Sequence, residues 1–107
     1  MARTVLLGKP NQLKIDTMNK TIEALNAGIS AIKPGNTADD VAQSFWKILD
    51  KYGIEKKSRT GYSIGIGYPP DWGEHTLNIY KGDMTVLEPN VCFHMIAVMQ
   101  FGDWGVE

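Results

Sequence analysis

The spacing of apolar positions changes once along the chain, near Arg59. Before that point, Ile15, Met18, Ile22, Leu25, Ile29 and Ile32 recur at alternating steps of three and four. That spacing predicts one face of an amphipathic helix, with Lys14, Asp16, Lys20 and Glu23 outside the stripe. Pro34-Gly35 stops it. A second helix is predicted from Thr37, where Thr37 followed by Asp40 makes a capping-box-like start. Val41, Phe45, Ile48, Leu49 and Tyr52 form its apolar face, and Gly53 suits the position just past its end. Ahead of both helices, Thr4 to Leu7 is a short β-branched and apolar run closed by Gly8 and Pro10, which reads as a strand.

After Arg59 the pattern turns to strands. Tyr62 to Ile66 alternates loosely and is rich in glycine, and Thr76 to Tyr80 is a second candidate. Turns follow at Lys81-Gly82-Asp83 and Glu88-Pro89-Asn90, with the short run Thr85 to Leu87 between them. Val91 to Met99 is apolar on both faces, as a central strand buried on both sides would be. Helices first and strands after predict an α+β fold, with two helices packed on one face of a curved, mostly antiparallel sheet.

Length and composition narrow the class. A chain of 107 residues is one domain at most, and 43% hydrophobic residues exclude intrinsic disorder. A net charge of −1, with no long block of like charge, argues against nucleic acid or an anionic membrane as partner. Cys92 is the only cysteine, which excludes an internal disulfide and a CxxC metal site. The first residues, MARTVLLGKPNQ, hold an apolar run too short for a signal peptide or a membrane span, so a cytoplasmic location is expected.

Candidate chemistry gathers between Gly61 and Glu74, GYSIGIGYPPDWGE. Gly61, Gly65, Gly67 and Gly73 allow either a bulged strand and turn or close backbone approach to a ligand. No GxGxxG opens a helix here. Tyr68 to Glu74 holds two aromatics and two carboxylates beside the rigid Pro69-Pro70 pair. Such a loop either walls a pocket and places an acid in it, or lies exposed with surface acids. His94 shares a strand face with Cys92, Ile96 and Val98, as a satisfied core residue or a pocket group. His75 reads as surface. No HExxH, GxSxG or P-loop occurs.

Taken in order, these segments carry a resemblance. A strand ending RT, a helix, KPG, a T-x-x-D helix, YGI, GxSIG, GD-x-TVLEPN and an apolar strand resemble the catalytic domain of the creatinase and Xaa-Pro peptidase (pita-bread) superfamily. Asn90 stands where that family usually has glycine. GYPPDWGE, FHMI and DWGVE are similar to its ectoine hydrolase branch. The resemblance implies a partial pita-bread fold. Residues 1–107 would be the C-terminal part of the catalytic domain, without the N-terminal domain and the first half. The family's metal-ligating histidine corresponds to Tyr62 and its first glutamate to Ile96, while its aspartate pair would lie upstream of the RT strand. A phenol and an alkyl group are no ligands for a hard divalent pair, so no metal and no cofactor is expected.

Glu74 matches the carboxylate that contacts substrate in the creatinase pattern, as nucleophile or as acid and base. His94 would face the same cavity, with Tyr62, Tyr68, Asp71 and Trp72 as pocket walls. The implied activity is metal-independent hydrolysis of a cyclic amidine C–N bond, the ring opening of ectoine to an N-acetyl diaminobutyrate. The implied partners are a small-molecule substrate and further copies of the chain in a homo-oligomer such as a dimer. The alternatives are a creatinase-like or Xaa-Pro-peptidase-like hydrolase of another substrate, and a non-catalytic binding module.

Overall fold

The computed structural model describes residues 2–68 and 70–107. Helix α1 runs over Gln12–Ser30, and the Asn11 side chain caps it by accepting the Lys14 N–H at 2.9 Å. The residues that α1 buries are Thr17, Thr21, Ala24 and Gly28. Both threonine hydroxyls donate to carbonyls four residues back, at 2.8 Å, so neither is left unsatisfied. A Cβ on Gly28 would stand 3.2 Å from Met95 and 3.4 Å from Phe45, so the glycine lets helix and neighbours close up. The predicted stripe is buried only in part. The small side chains are the fully buried ones, Met18, Leu25 and Ile32 are half-buried against the cores, and Ile22 and Ile29 are 51% and 48% exposed.

Helix α2 (Ala38–Lys51) starts as the sequence predicts. The Thr37 hydroxyl accepts the Asp40 N–H at 3.1 Å, and the Asp40 carboxylate accepts the Thr37 N–H at 2.7 Å. Ala38, Val41, Ala42, Phe45, Trp46 and Leu49 are buried, and Gly53 follows in the left-handed region at φ 64°.

Five strands follow: β1 (Gly61–Ile64), β2 (Gly73–Ile79), β3 (Phe93–Met95), β4 (Met99–Phe101) and β5 (Trp104–Val106). They make a three-stranded sheet in the order β2-β1-β3 and a β4-β5 hairpin, all pairs antiparallel. Two strand expectations fail here. The run Val91 to Met99 is not one central strand. It breaks between β3, an edge strand whose three residues are only half-buried, and β4, which leaves to pair with β5. Its apolar character serves two sheets rather than two faces of one. Thr4 to Leu7 forms no strand either. Thr4 is tied to Glu107, its N–H donating to the Glu107 carbonyl at 2.9 Å and its hydroxyl accepting the Glu107 N–H at 2.7 Å, and Val5 and Leu7 lie exposed. The Thr85–Leu87 run pairs with the start of α2, through Ala38 N–H to Thr85 O and Leu87 N–H to Asn36 O. Asn90 adopts φ 69°, which explains how it stands at a glycine position, since asparagine tolerates this region.

Helix α2 serves two cores. Phe45, Trp46 and Leu49 pack with Ala24, Ala97, Met99 and Val106. Ala38, Val41 and Ala42 pack with Leu77, Ile79 and Leu87, against which Phe93 and Met95 also lie. One face of β2-β1-β3 is thereby sealed by helix, and the other carries the half-buried Tyr62, Asn78 and His94. Among the described residues, no helix is long and apolar enough to cross a membrane.

Candidate functional site

The face of the sheet away from the helices is organised by β1. Strand alternation buries Gly61 and Ser63 toward the helices and leaves Tyr62 and Ile64 on the opposite side. Tyr62 pairs with Asn78 of β2 on one side and His94 of β3 on the other, so the three stand in one row across the sheet. The β1–β2 register slips between Tyr62 and Ile64. At the slip the buried Ser63 hydroxyl oxygen accepts the Thr76 N–H at 3.1 Å and the Leu77 N–H at 3.3 Å, standing in for ladder bonds the bulge removes. The irregular pairing fits the bulged-strand alternative of the sequence reading.

Hydrogen bonds join three of the expected site residues. The Trp72 indole N–H donates to the Tyr62 hydroxyl at 2.8 Å, and that hydroxyl lies 3.2 Å from His94 Nδ1. The Tyr62 and His94 rings meet edge to face at 5.4 Å. Tyr68 stacks on Trp72 with ring centroids 6.1 Å apart. Asp71 has a local role: its carboxylate accepts the Gly73 N–H at 2.6 Å and lies 3.8 Å from His75 Nε2 on an exposed surface. Pro69, expected to stiffen this loop, lies outside the described residues.

Trp72 and His94 line a cavity of about 520 Å³ beside the outer edge of β3, with Leu25 and Ile29 of α1 and Arg3 opposite. Glu74 does not line it. The Glu74 side chain lies against the backbone of Gly65, where any Cβ would collide with its carboxyl group, and near Gly67. Two contributors escaped the sequence reading. Arg59 sits over the Tyr62 ring, its Cζ 4.3 Å from the centroid, and donates to the Asn78 side-chain oxygen at 2.6 Å. The polar alternation Thr76, Asn78 within β2 was the signal for Asn78. Arg59, ahead of the strand, carried none.

The backbone as a whole is that of a known class. It superposes on a dipeptidase PepE from Mycobacterium ulcerans with a TM-score of 0.87 and 26% identity, over 97% of this chain and 28% of that one. It superposes on a prolidase from Pyrococcus furiosus with a TM-score of 0.82 and 25% identity, over 97% of this chain and 30% of that one. These neighbours place the fold in the pita-bread architecture. Residues 1–107 match metallopeptidase family M24, and the chain belongs to that family of hydrolases. It is 41% identical over 108 aligned positions to ectoine hydrolase of Halomonas elongata, covering 100% of this chain and 27% of the relative. An uncharacterized hydrolase/peptidase of Sinorhizobium fredii, y4tM, is likewise 41% identical, over 99% of this chain and 27% of its own length. The chain therefore spans about a quarter of the length of the curated relatives it matches.

Proposed function

We propose that the chain contributes the C-terminal part of the catalytic domain of an enzyme that hydrolyses a cyclic amidine, opening ectoine to an N-acetyl diaminobutyrate. Identity of 41% to an ectoine hydrolase across the whole chain supports this reading most directly. In the net reaction water adds at the amidine carbon, the ring C–N bond breaks, and the departing nitrogen takes a proton. A protonated amidine is planar and cationic, and a carboxylate is its natural partner. Glu74 is that partner, as nucleophile at the amidine carbon or as the group that moves protons during water attack. His94 and Trp72 wall a cavity beside β3 that would take the part of the substrate remote from Glu74, with Tyr62 behind them and Tyr68 extending the wall through its stack on Trp72. Asp71 holds the turn that leads into β2.

Chemistry without a metal is part of this proposal. The residues at two expected ligand positions do not fit the hard divalent pair of a metallopeptidase. Tyr62 offers a phenol already engaged by Trp72 and His94, and Ile96 offers a hydrocarbon. Metal analysis of a longer form spanning the relatives' length should find no stoichiometric divalent pair, and two tightly held ions would overturn the reading. Ectoine titrated calorimetrically into that form should bind, and the 107-residue chain alone should be inactive because groups outside it are needed together. In the longer form Glu74→Ala should lower ectoine turnover by about 10²-fold or more with the fold intact. Unchanged turnover would remove Glu74 from the mechanism. We further infer a cytoplasmic, homo-oligomeric enzyme.

The dipeptidase and prolidase folds of the solved neighbours favour a second reading, a peptidase-like hydrolase of another substrate. Proline dipeptide hydrolysis with added Mn²⁺, in place of ectoine turnover, would establish it.

A further inference from the structure

Three hydrogen-bonding groups meet at the Tyr62 hydroxyl, and their valences favour one arrangement. The Trp72 indole nitrogen only donates, so at 2.8 Å the Tyr62 oxygen is its acceptor. A phenol has a single hydrogen, and its other neighbour is His94 Nδ1 at 3.2 Å. The oxygen has a second lone pair, so the geometry admits either an Nδ1–H donating to it or the hydroxyl donating to a bare Nδ1. With the indole on the acceptor side, the second arrangement is the one that uses the hydroxyl hydrogen, and it makes Nδ1 the bare nitrogen of the ring. A neutral imidazole with bare Nδ1 carries its hydrogen on Nε2.

We propose that Trp72 and Tyr62 are positioning residues that hold neutral His94 as its Nε2–H tautomer, so that His94 meets a ligand as a donor to an acceptor oxygen. The row across the sheet makes the arrangement stiff. Tyr62 and His94 are register partners on adjacent strands, and their rings pack edge to face. Arg59 covers the Tyr62 ring and is itself anchored on Asn78, which holds the ring in place. With Nδ1 engaged, Nε2 is the ring nitrogen left for a ligand, and His94 lines the cavity beside β3. Arg3 lines the same cavity, and so does Glu107, the one acid among its lining residues. The part of the cavity that His94 and Arg3 line suits a ligand's acceptor oxygen, such as that of a carboxylate, away from Glu107. Resting on the ectoine reading, His94 takes the carboxylate of the substrate, while Glu74 lies outside this cavity, against Gly65.

Long-range proton–nitrogen correlation spectra of the ¹⁵N-labelled chain, at a pH where imidazole is neutral, test the tautomer directly. His75, the one other histidine, is exposed and serves as the internal reference. His94 should show a protonated Nε2 and a bare, hydrogen-bonded Nδ1. In Tyr62→Phe the Nδ1 resonance should move to its unbonded position and the Nδ1–H form should appear, while His75 stays put. Should Tyr62→Phe lose its amide dispersion, Trp72→Phe at an exposed position removes the same indole donor and should shift His94 in the same sense. A wild-type His94 in the Nδ1–H form, or a His94 spectrum unchanged in a folded variant, overturns the proposal. Ectoine should then move the Nε2 signal in the longer form, and its carboxamide should not. Should ectoine leave all signals unmoved while the tautomer stands, the ectoine reading fails and the assignment of Trp72 and Tyr62 survives.

Discussion

Two glycines of the same strand region carry opposite consequences at the scale of single residues. An added Cβ on Gly61 would come 2.5 Å from the His94 carbonyl oxygen and 3.0 Å from Ile79, so backbone has to move. Gly61→Ala should therefore destabilise the chain by about 1–3 kcal/mol, read as a fall in urea midpoint. On Gly65 the nearest atoms such a methyl would meet all belong to the side chain of Glu74, which can swing away. Gly65→Ala should leave the urea midpoint nearly unchanged and, in the longer form, lower ectoine turnover by displacing Glu74. A Gly65→Ala enzyme of full activity would show that Glu74 does not work from where it rests. The residue types of the site were legible in the sequence, because glycine, proline, aromatics and acids so close together have few uses. Their wiring was not. That Trp72 reaches Tyr62 across ten residues, and that Glu74 folds onto Gly65 rather than into the cavity of His94, depends on a register slip no spacing announces. Arg59 was missed because its partners, Tyr62 and Asn78, come together only when β1 and β2 pair.

Among elements, those set by local chemistry were the most legible. The α2 cap uses groups three residues apart, so Thr37 and Asp40 could be paired on paper. Thr37→Ala should lower stability by about 1 kcal/mol, measurable by urea unfolding, and Thr37→Ser should recover most of it. The run from Val91 was misread because hydrophobicity reports burial without saying in which sheet. The corner where β3 gives way to β4 is held by a contact distant in sequence, Lys56 Nζ donating to the Val98 carbonyl at 2.9 Å. Burial pushes the Lys56 ammonium down to about 8, with the Glu107 carboxylate pulling it the other way. The folded chain then releases this proton before the unfolded chain does. Between about pH 8 and the ordinary lysine value near 10.5, the unfolded state binds more protons, so stability should rise with pH across that window. As pH falls through 8 the gain is lost. Urea midpoints measured at several pH values should show this slope in the wild type and a flatter one in Lys56→Met. Equal slopes would mean that the ammonium is solvated.

For the molecule as a whole, the outer part of the α1 stripe carries a consequence. Met18, Leu25 and Ile32 pack against the cores, and the small residues beside the stripe are the ones fully buried. Ile22 and Ile29 remain half exposed, and Leu25 and Ile29 line the cavity along β3, whose outer edge pairs with no strand among those described. An apolar helix face beside an open strand edge is a surface that association covers. The 107-residue chain by itself should therefore self-associate through this face, with sedimentation coefficients that rise with concentration. Ile22→Lys combined with Ile29→Lys should shift it toward monomer. Because lysine is a good helix former and both positions already meet solvent, the urea midpoint of the dilute double variant should stay within about 0.5 kcal/mol of wild type. A wild-type chain that stays monomeric at every concentration would defeat the expectation. A double variant that unfolds would show instead that the stripe belongs to the chain's own core, which the small-residue packing of Ala24 and Gly28 against α2 and β3 argues against.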